Sequence, residues 1–581
     1  MVVVHVTHEA VAQVGGIGAV IAGLVTSEAY AGRVSRTILL GPLFVGDSPA
    51  GRRLGTGGKV IYSSLDSLAP SRWAEKFAPI EAQHEVHIVY GTRPVTDACT
   101  RRTVETEVVL VDVSRADHDR LDRFKAALYE KFAVPSDRFQ DVWDFEQYVR
   151  LAEPGFRAVR ALAGDGRERM IVIAHEYMGV PTALAAVMSG ENDTRTVFYA
   201  HEVASVRPVV ETSPGHDTMF YNVLAQAQCD GATIEEVFPS VADNYKHPLV
   251  KAARHCDHVF AVGEQVRREL AFVDSRFRPD DIDLVFNGIP AERVTPAQRS
   301  ESRSHMQHYA ADLFGWRPTW VMSHVARPVL SKGIWRDLRV LHALEGMLAA
   351  RGESAAYFML GTLGGQRRRR DVRRMERTYG WPVHHARGYP DLVPGEDLLA
   401  EMFEHFNSEH RAVRVVLVNQ WGWDRRQCGR RMPREMNFAD IRRGVDVEFG
   451  LSIYEPFGIS QLEPLGYGAV CVASSVCGCV GFARRAAGDE GMAPNVLVGD
   501  FVTLAAPMET DRLKELTIAD RTRLEDAQAQ RLAGLLAEAL VDADDVLSAR
   551  LERGQQLARR MSWEHVVGEY FLPALDRAAH D

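Results

Sequence analysis

The chain has 581 residues, which is too long for one hydrophobic core because such cores stop growing at about 250–300 residues, so we expect two large domains. Its 46% hydrophobic and 25% charged residues exclude a disordered or collagen-like chain. The 68 Lys and Arg against 78 Asp and Glu leave a net charge of −10, which argues against a dedicated nucleic-acid binder.

Short β-branched runs alternate with helical patterns through the first half of the chain. The predicted strands are near-continuous apolar runs, which is typical of strands covered on both faces. They are Val2–Val6, Thr37–Leu40, Lys59–Tyr62, Val86–Tyr90, Met170–Ala174, Thr196–Ala200, Val259–Val262 and Leu284–Phe286. The predicted helices between them include Ile17–Tyr30, Asp141–Leu162 and Lys251–His255. This βαβα order predicts a parallel, doubly wound sheet with right-handed crossovers.

A second series of strands begins after a polar, helix-leaning stretch at residues 291–318, where we place the domain boundary. Its predicted strands are Trp320–Val325, Tyr357–Leu360, Val413–Val418, Val447–Ile453, Ala469–Ala473 and Asn495–Val498. Residues 519–579 are helical in pattern and contain no predicted strand. The expected fold class is therefore α/β, with two Rossmann-like doubly wound parallel-sheet domains. Ligands of such sheets bind at the carboxyl ends of the strands, so we expect a ligand cleft between the two domains.

A glycine-rich segment, Gln13-Val-Gly-Gly-Ile-Gly18, lies between the first strand and an apolar helix. Glycines there let the backbone approach a ligand closely, and the start of a helix favours an anion. Gly15 and Gly16 are thus candidate binding residues. A glycine-rich turn of this kind is also common as a purely structural feature.

Two cations share the loop that follows the strand Trp320–Val325. Arg327 and Lys332 could grip two phosphate oxygens, the arginine as a fork and the lysine as a point charge. The alternative is an ordinary solvated surface, but a position at the head of a sheet favours binding.

The segment Tyr454–Pro464 is the most specific motif of the chain. It places two carboxylates, Glu455 and Glu463, eight residues apart with a predicted helix start between them. The free N–H groups of Gly458, Ile459 and Ser460 would face a ligand, since the first N–H groups of a helix lack partners within it.

These motifs resemble the E-x7-E signature of retaining GT-B glycosyltransferases, and more closely the glycogen and starch synthases. Arg327 and Lys332 are spaced as the donor-phosphate pair is in that family. The further segments that resemble the family, in the same order along the chain, are Glu9–Gly18, Ala174–Gly179, Val197–His201, His255–Phe260, Asp283–Gly288 and Ser562–Glu564. The resemblance covers nearly the whole chain apart from regions such as residues 91–130 and 380–443.

The resemblance implies a GT-B fold with three parts. Residues 1–300 would form the acceptor-side domain, residues 301–560 the nucleotide-sugar donor domain, and residues 561–581 a helix that returns toward the first domain. It also implies transfer of a hexose, expected to be glucose, from a nucleoside-diphosphate sugar to a glycan or small-molecule acceptor, with retention of the anomeric configuration. No cofactor or metal is expected, and the nucleotide base, the acceptor and the oligomeric state are left open.

The family motifs also imply roles for individual residues. Arg327 and Lys332 would neutralise the donor phosphates, and Glu463 would accept from the ribose hydroxyls. Glu455 would face the sugar, and His201 would contact a sugar hydroxyl or the acceptor. The implied catalytic residues are Glu455, His201, Arg327 and Lys332. The implied donor-binding residues are Gly15, Gly16, Arg327, Lys332, Tyr454, Gly458, Ile459, Ser460 and Glu463.

One position departs from the family pattern. The synthases carry a lysine near the donor phosphate where this chain has Gln13. The missing charge bears on donor choice and on glycogen synthesis itself, and Gln13→Lys is expected to shift preference toward ADP- or UDP-glucose. The arginine-rich residues 367–374 and 425–443 would compensate if one of these segments lined the cleft, or else they form solvated faces.

Other readings of the sequence stay open. A nucleotide-sugar epimerase and a non-catalytic protein that binds nucleotide sugar or glycan fit the same architecture. A phosphorylase is disfavoured because no matching lysine motif for pyridoxal phosphate occurs. An NAD-linked oxidoreductase is set aside because the third glycine of its motif is missing.

Metal binding is not expected from the sequence. Asp281-Ile-Asp283 is formally a D-x-D motif but leads into a predicted strand, and Cys471, Cys477 and Cys479 lack the spacing of a zinc site. Seven cysteines, an odd number, do not form a disulfide framework and fit a reducing interior. No window approaches the about 18–20 apolar residues of a membrane span, so we expect a cytoplasmic protein.

Overall fold

The computed structural model describes residues 1–11, 15–44, 49–97, 100–164, 168–488 and 494–580. The chain divides into two compact units. Unit 1 consists of Met1–Val209, Ala227–Gly288 and Trp563–Asp581, and unit 2 of Val210–Gln226 and Ile289–Ser562. The backbone therefore enters unit 2 twice.

Unit 1 is built on a nine-stranded sheet with the strand order β3-β4-β5-β2-β1-β6-β7-β8-β9. Its strands are β1 Val2–Val6, β2 Arg36–Pro42, β3 Lys59–Ser63, β4 His87–Thr96, β5 Thr103–Asp112, β6 Met170–His175, β7 Thr194–Ala200, β8 His258–Ala261 and β9 Ile282–Leu284. The central strands are apolar and completely buried, as the continuous runs predict. This sheet positions the residues that follow β1, β6 and β7 at one edge.

One side of this sheet differs from the prediction of an entirely parallel sheet. Strand β4 pairs antiparallel with both β3 and β5, and β5 was not predicted. Only residues 97–102 separate β4 from β5. A parallel connection needs a crossover of about a dozen residues or more, so a link this short allows only antiparallel pairing.

Unit 2 is built on a six-stranded parallel sheet with the order β12-β11-β10-β13-β14-β15. Its strands are β10 Trp320–Val325, β11 Ala355–Leu360, β12 Val413–Val418, β13 Val447–Gly450, β14 Val470–Ser474 and β15 Val496–Gly499. The strand order reverses between β10 and β13. In sheets of this type the crevice at that reversal is where ligands bind.

Twenty-four α-helices surround the sheets in the described parts of the chain. They are α1 Gly16–Thr26, α2 Glu28–Arg33, α3 Ser71–His84, α4 His118–Phe132, α5 Trp143–Ala163, α6 Glu176–Ser189, α7 Arg207–Thr212, α8 His216–Asp230, α9 Ile234–Val237, α10 His247–Ala252, α11 Glu264–Val273, α12 Pro296–Phe314, α13 Ile334–Ala350, α14 Arg369–Tyr379, α15 Glu396–Glu409, α16 Arg425–Cys428, α17 Phe438–Gly444, α18 Ile459–Leu462, α19 Gly478–Ala487, α20 Thr510–Lys514, α21 Ile518–Ala539, α22 Asp544–Arg560, α23 Trp563–Val566 and α24 Leu572–His580. None of the helices in the described residues is long and apolar enough to cross a membrane.

The last helices of the chain belong to unit 1. The indole ring of Trp563 packs against two glycines, so that a Cβ added at Gly23 or at Gly288 would lie 2.1 or 2.6 Å from the ring. The carboxylate of Glu564 accepts hydrogen bonds from Ser27 Oγ and from the backbone N–H of Glu28, each at 2.7 Å. The first two side chains of α23 thus attach the final helices to the region of helices α1 and α2.

A buried ion pair holds the residues 210–226 within unit 2. Arg336 on α13 donates two hydrogen bonds to the carboxylate of Asp217, at 2.8 and 2.6 Å, and a third to Glu525 on α21 at 2.8 Å. All three side chains are fully buried. Since a guanidinium that loses its carboxylates inside a protein is very unfavourable, this triad ties three distant segments together.

Candidate functional site

The candidate site in unit 2 lies at the carboxyl edge of its sheet, where the strand order reverses. Strands β10 and β13 are direct neighbours, with Met322 opposite Val447 and Ser323 opposite Glu448. The loop that carries the two predicted phosphate-binding cations follows β10, and the segment with the two predicted glutamates follows β13. Adjacent parallel strands end at the same edge, so both motifs lie at the position expected for a ligand site.

Two of the implied catalytic residues are in direct contact. The ammonium group of Lys332 donates a hydrogen bond to Glu455 Oε2, and the two side chains are 21% and 14% exposed. Gln461 Nε2 lies 3.4 Å from the same carboxylate oxygen. Arg327 is exposed, and its guanidinium makes no hydrogen bond or ion pair with any residue that the structure describes. The site therefore combines a paired lysine with a guanidinium that is available to a ligand.

The backbone next to Lys332 requires a glycine. Gly333 has a φ of +60°, and a Cβ at this position would lie 2.3 Å from the carbonyl oxygen of Leu451. The N–H of Ile453 donates to the carbonyl of Ser331 at 2.9 Å. The loop with the cations is thus bound directly to the segment after β13, which explains how residues far apart in sequence meet.

The segment with the predicted glutamates forms a tight turn into a very short helix. Gly458 precedes α18 with a φ of +93°, a conformation that favours glycine. Helix α18 has only four residues, Ile459–Leu462, so the site gains the free N–H groups of a first turn rather than the macrodipole of a long helix. Ser460 and Ile459 are half-buried, whereas Tyr454 is 1% exposed and offers no side-chain surface to a ligand.

A buried arginine that the motif analysis missed supports this segment. Arg442 on α17 donates to the carboxylate of Glu448 at 3.0 Å and to the carbonyl of Ser460, and its Nε lies 3.0 Å from Glu463 Oε2. Glu463, proposed to hold a ribose, is therefore already paired on one oxygen. Arg442 holds the glutamate and the backbone of α18 in one arrangement, and only its place within an arginine-rich stretch marked it in the sequence.

In unit 1, the described part of the glycine loop, residues 15–18, is in contact with a carboxylate of the protein itself at the start of α1. The buried carboxylate of Glu9 accepts a hydrogen bond from the N–H of Gly18 at 2.8 Å. A Cβ at Gly15 would lie 2.8 Å from Glu9 Oε1, whereas a Cβ at Gly16 would meet nothing within 4 Å. The anion at this helix start is thus the protein's own carboxylate. Gln13, the position that departs from the family, lies outside the described residues.

Three histidines of unit 1 form a continuous hydrogen-bonded chain that ends at His201. His5 Nδ1 lies 2.8 Å from His175 Nε2, and His175 Nδ1 lies 2.8 Å from His201 Nε2. At the inner end His5 Nε2 lies 3.1 Å from the hydroxyl of Tyr30, which lies 3.1 Å from Thr37 Oγ1. At the outer end His201 Nδ1 has no hydrogen-bond partner among the described residues. The chain of hydrogen bonds therefore ends at His201 Nδ1, which has no hydrogen-bond partner among the described residues.

Burial keeps these imidazoles neutral. It lowers the pKa of His5 and of His201 to about 3 and the pKa of His175 well below its usual value. A neutral imidazole has one donor and one acceptor nitrogen, so every ring in the chain must adopt the same direction. If the Tyr30 hydroxyl donates to His5 Nε2, then His201 Nδ1 carries a proton, and if the chain runs the other way, His201 Nδ1 is an acceptor.

Glu176 fixes the backbone on which His201 lies. Its carboxylate accepts hydrogen bonds from the N–H groups of His201 and Glu202, the latter at 2.6 Å. Burial raises the pKa of this carboxyl group well above its usual value. Glu176 has a φ of +62°, a backbone conformation that residues other than glycine rarely adopt and that is concentrated at functional sites.

A second polar cluster in unit 1 was not predicted. The hydroxyls of Tyr177 and Tyr245 both donate to Asp144 Oδ2, each at 2.6 Å. The ammonium group of Lys246 lies over both rings, 5.0 and 5.4 Å from their centres. Only Tyr177 adjoins a predicted motif, since it follows Glu176, and nothing in the sequence connects the three regions.

The structure offers no evident metal centre within the described residues, where no group of three or more His, Cys, Asp or Glu side chains could hold an ion. Of the two aspartates in the formal D-x-D motif, Asp281 lies 2.5 Å from Arg278 and Asp283 lies 2.6 Å from Arg577. Cys471, Cys477 and Cys479 are buried free thiols.

Two units, each with a doubly wound α/β sheet, and final helices that return to the first unit define a GT-B fold. Among solved structures, a trehalose-6-phosphate synthase from E. coli bound to UDP-2-fluoro glucose has a TM-score of 0.51 and 12% identity, over 100% of this chain and 99% of its own. OtsA without ligand also has a TM-score of 0.51 and 12% identity, over 99% of this chain and 98% of its own. No protein-family model and no curated protein matches the sequence. The likeness confirms the predicted fold class, and the resemblance to glycogen and starch synthases in particular stays a prediction.

Proposed function

We propose that this protein is a retaining glycosyltransferase that moves a hexose, glucose being the first candidate, from a nucleoside-diphosphate sugar to a glycan or small-molecule acceptor. The observation that carries the proposal is the contact between Lys332 and Glu455, beside the unpaired Arg327, at the reversal point of the unit 2 sheet. The GT-B fold supports the proposal, because the family resemblance carried by the same motifs implies this fold.

The charges of this site fit the departure of a diphosphate. When the bond between the anomeric carbon and the phosphate oxygen breaks, the electron pair leaves with the diphosphate and positive character develops on the sugar. Fixed cations aimed at the leaving group stabilise that transition state. Arg327 supplies a planar fork and Lys332 a point charge, and the first N–H groups of α18 add neutral donors.

Glu455 has two tasks in this proposal. It pairs with Lys332, so the ammonium group is held in a fixed orientation at the site. With a donor bound, the lysine would turn to the phosphate and the carboxylate would face the sugar, where it binds hydroxyls and stabilises positive character. Such preorganisation avoids the cost of orienting the groups during the reaction.

A donor screen tests the proposal. Purified protein is incubated with UDP-, ADP- and GDP-glucose and with donors that carry other hexoses on the same nucleotides. The released nucleoside diphosphate is measured without an acceptor and with glucose, glucose phosphates or a glycan as the acceptor. UDP-glucose comes first because a structure of similar fold was bound to its fluorinated analogue. The product's anomeric configuration, read by proton NMR, decides between retention and inversion.

Matched variants identify the site. Lys332→Ala and Glu455→Gln are each expected to lower the transfer rate by about 10²-fold or more, the usual loss when one electrostatic group is removed. Lys131→Ala, which removes an exposed lysine on α4, serves as the control and should retain full activity. If donor binds but neither transfer nor hydrolysis occurs, the protein is a non-catalytic binder and the proposal is wrong.

His201 stays a separate prediction. Its Nδ1 can donate or accept, so it suits a sugar hydroxyl, which does both. His201→Ala should lower transfer if the imidazole contacts substrate, and the same rate as the wild type would remove this residue from the proposed machinery.

A further inference from the structure

The two arginine-rich segments of the sequence come together around one cavity in unit 2. Helix α14 follows β11, and the second segment, which includes α16, follows β12. The cavity has a volume of about 610 Å³. Its charged lining residues are Arg373, Asp424, Arg425, Arg426, Arg430 and Arg434. Five guanidinium groups therefore share one concave surface with a single carboxylate.

Most of these guanidinium groups are not neutralised by the protein. The side chains of Arg373, Arg426, Arg430 and Arg434 make no hydrogen bond or ion pair within the part of the chain that the structure describes. Arg425 donates to the carbonyl of Met432 at 2.6 Å, so it has a neutral partner only. The five positive charges that line the cavity thus exceed the single negative charge of Asp424.

The nearby carboxylates are already engaged by backbone groups. Asp424 caps α16 by accepting from the N–H of Gln427 at 2.9 Å. Glu376 on α14 accepts from the N–H of Arg430 and from that of Arg431, at 2.5 and 3.3 Å. These bonds hold the segment that carries the arginines but leave the guanidinium groups facing the cavity unpaired.

Other arginines in the same stretches are structural, which sets the cavity group apart. Arg367 donates to the buried Glu396 at 2.6 Å, and Arg443 donates to Glu292 at 2.7 Å. Arg367 and Arg443 are therefore paired with carboxylates. The arginines at the cavity are not, in a chain whose net charge is −10.

We propose that this cavity is a binding site for a small polyanion that carries at least two phosphate groups. Guanidinium groups match phosphate oxygens in bidentate geometry, and several of them in one concavity attract more than a single phosphate. A volume of about 610 Å³ is in the range of small-molecule pockets. A nucleic acid is the less suitable occupant, since it would require an extended basic surface, whereas these arginines surround one pocket.

This site is separate from the proposed donor site. None of its lining residues belongs to the loop after β10 or to the segment after β13. The inference goes beyond the proposed function, and its test uses the protein alone, so its result does not depend on whether transfer is observed.

Calorimetric titration of the full chain with inorganic tripolyphosphate tests the proposal. We expect saturable binding with one equivalent, weakened as the salt concentration rises because exposed charges are screened. The double variant Arg426→Gln/Arg430→Gln should bind at least about tenfold more weakly, since it loses two charge-assisted contacts. It should keep the melting temperature of the wild type, because neither side chain has a partner within the described protein.

Two controls make the result decisive. Arg377→Gln removes an arginine of α14 outside the cavity lining and should bind tripolyphosphate like the wild type. Lys332→Ala should keep the binding that the double variant loses, whether or not the donor site also binds tripolyphosphate, which separates the two sites. Absence of binding, equal binding by the double variant, or tighter binding of single-stranded RNA than of tripolyphosphate would each overturn the proposal.

Discussion

The histidine chain predicts that unit 1 loses stability in mild acid. His5 is fully buried, and burial lowers its pKa from 6.5 to about 3. In the unfolded chain this imidazole binds a proton below pH 6.5, whereas in the native protein it stays neutral down to about pH 3. Between these values the unfolded state binds more protons than the native state, so stability falls as the pH is lowered.

The size of the effect follows from the pKa difference. Each pH unit below 6.5 lowers the free energy of unfolding by about 1.4 kcal/mol per such histidine. Lowering the pH from 8 to 5 should therefore cost about 2 kcal/mol through His5 alone. His175 and His201 act in the same direction because burial lowers their pKa values too. A loss of about 2 kcal/mol is a large share of the about 5–15 kcal/mol by which a typical domain is stable.

Hydrogen exchange measured by mass spectrometry provides the assay. Peptides that cover β1, β6 and β7 report the opening of unit 1 without requiring the whole chain to unfold in one step. After correction for the intrinsic exchange rate at each pH, the opening free energy should fall by about 1.4 kcal/mol for each pH unit below 6.5 and for each such histidine.

The variant His5→Gln isolates the contribution of one ring. It lowers stability at every pH because it disturbs a buried site, so the slope with pH is the informative quantity. That slope should decrease by about 1.4 kcal/mol per pH unit between pH 6 and pH 4. His308→Gln removes a histidine whose side chain is 64% exposed and should leave the slope of unit 1 unchanged. An unchanged slope in His5→Gln would refute the neutral histidine chain.

Two further substitutions test the packing of each unit. Arg336→Met leaves Asp217 buried without its cation, while Glu525 keeps ion pairs with Arg339 and Arg521, so we expect a loss of about 3–5 kcal/mol in urea unfolding of unit 2; a change below about 1 kcal/mol would show that the triad is not buried. Gly23→Ala places a methyl group where the ring of Trp563 lies, so we expect a loss of about 1–3 kcal/mol and faster proteolysis of the final helices. Wild-type protease resistance of Gly23→Ala would mean that this ring packs elsewhere.

Continuous apolar runs made the parallel parts of the fold predictable. Trp320–Val325 and Val413–Val418 are strands with the bounds that the sequence suggests. A strand that is covered on both faces carries apolar residues at most positions, which makes the pattern specific. Strand β5, Thr103–Asp112, was not predicted because four of its first five residues are polar, which interrupts the apolar pattern.

The motifs identify candidate residues but not the contacts that those residues make. The lysine and the glutamate of the two signatures do meet, but the counterion Glu9 at the glycine loop and the support by Arg442 depend on contacts that no local pattern encodes. The histidine chain is similar. The three histidines meet because β1, β6 and β7 are neighbours in the sheet. The sequence of a single strand does not determine the order of the strands.

The path of the backbone between the units has a consequence for biosynthesis. The chain leaves unit 1 after Val209, returns at Ala227, leaves again after Gly288 and returns at Trp563. Because a ribosome makes the protein from its N-terminus, the last segment of unit 1, which begins at Trp563, is synthesised after all of unit 2. Unit 1 therefore cannot complete its fold until nearly the whole chain has left the exit tunnel. Neither unit can be expressed as one uninterrupted fragment, because each consists of at least two stretches of the chain that are separated by stretches of the other unit.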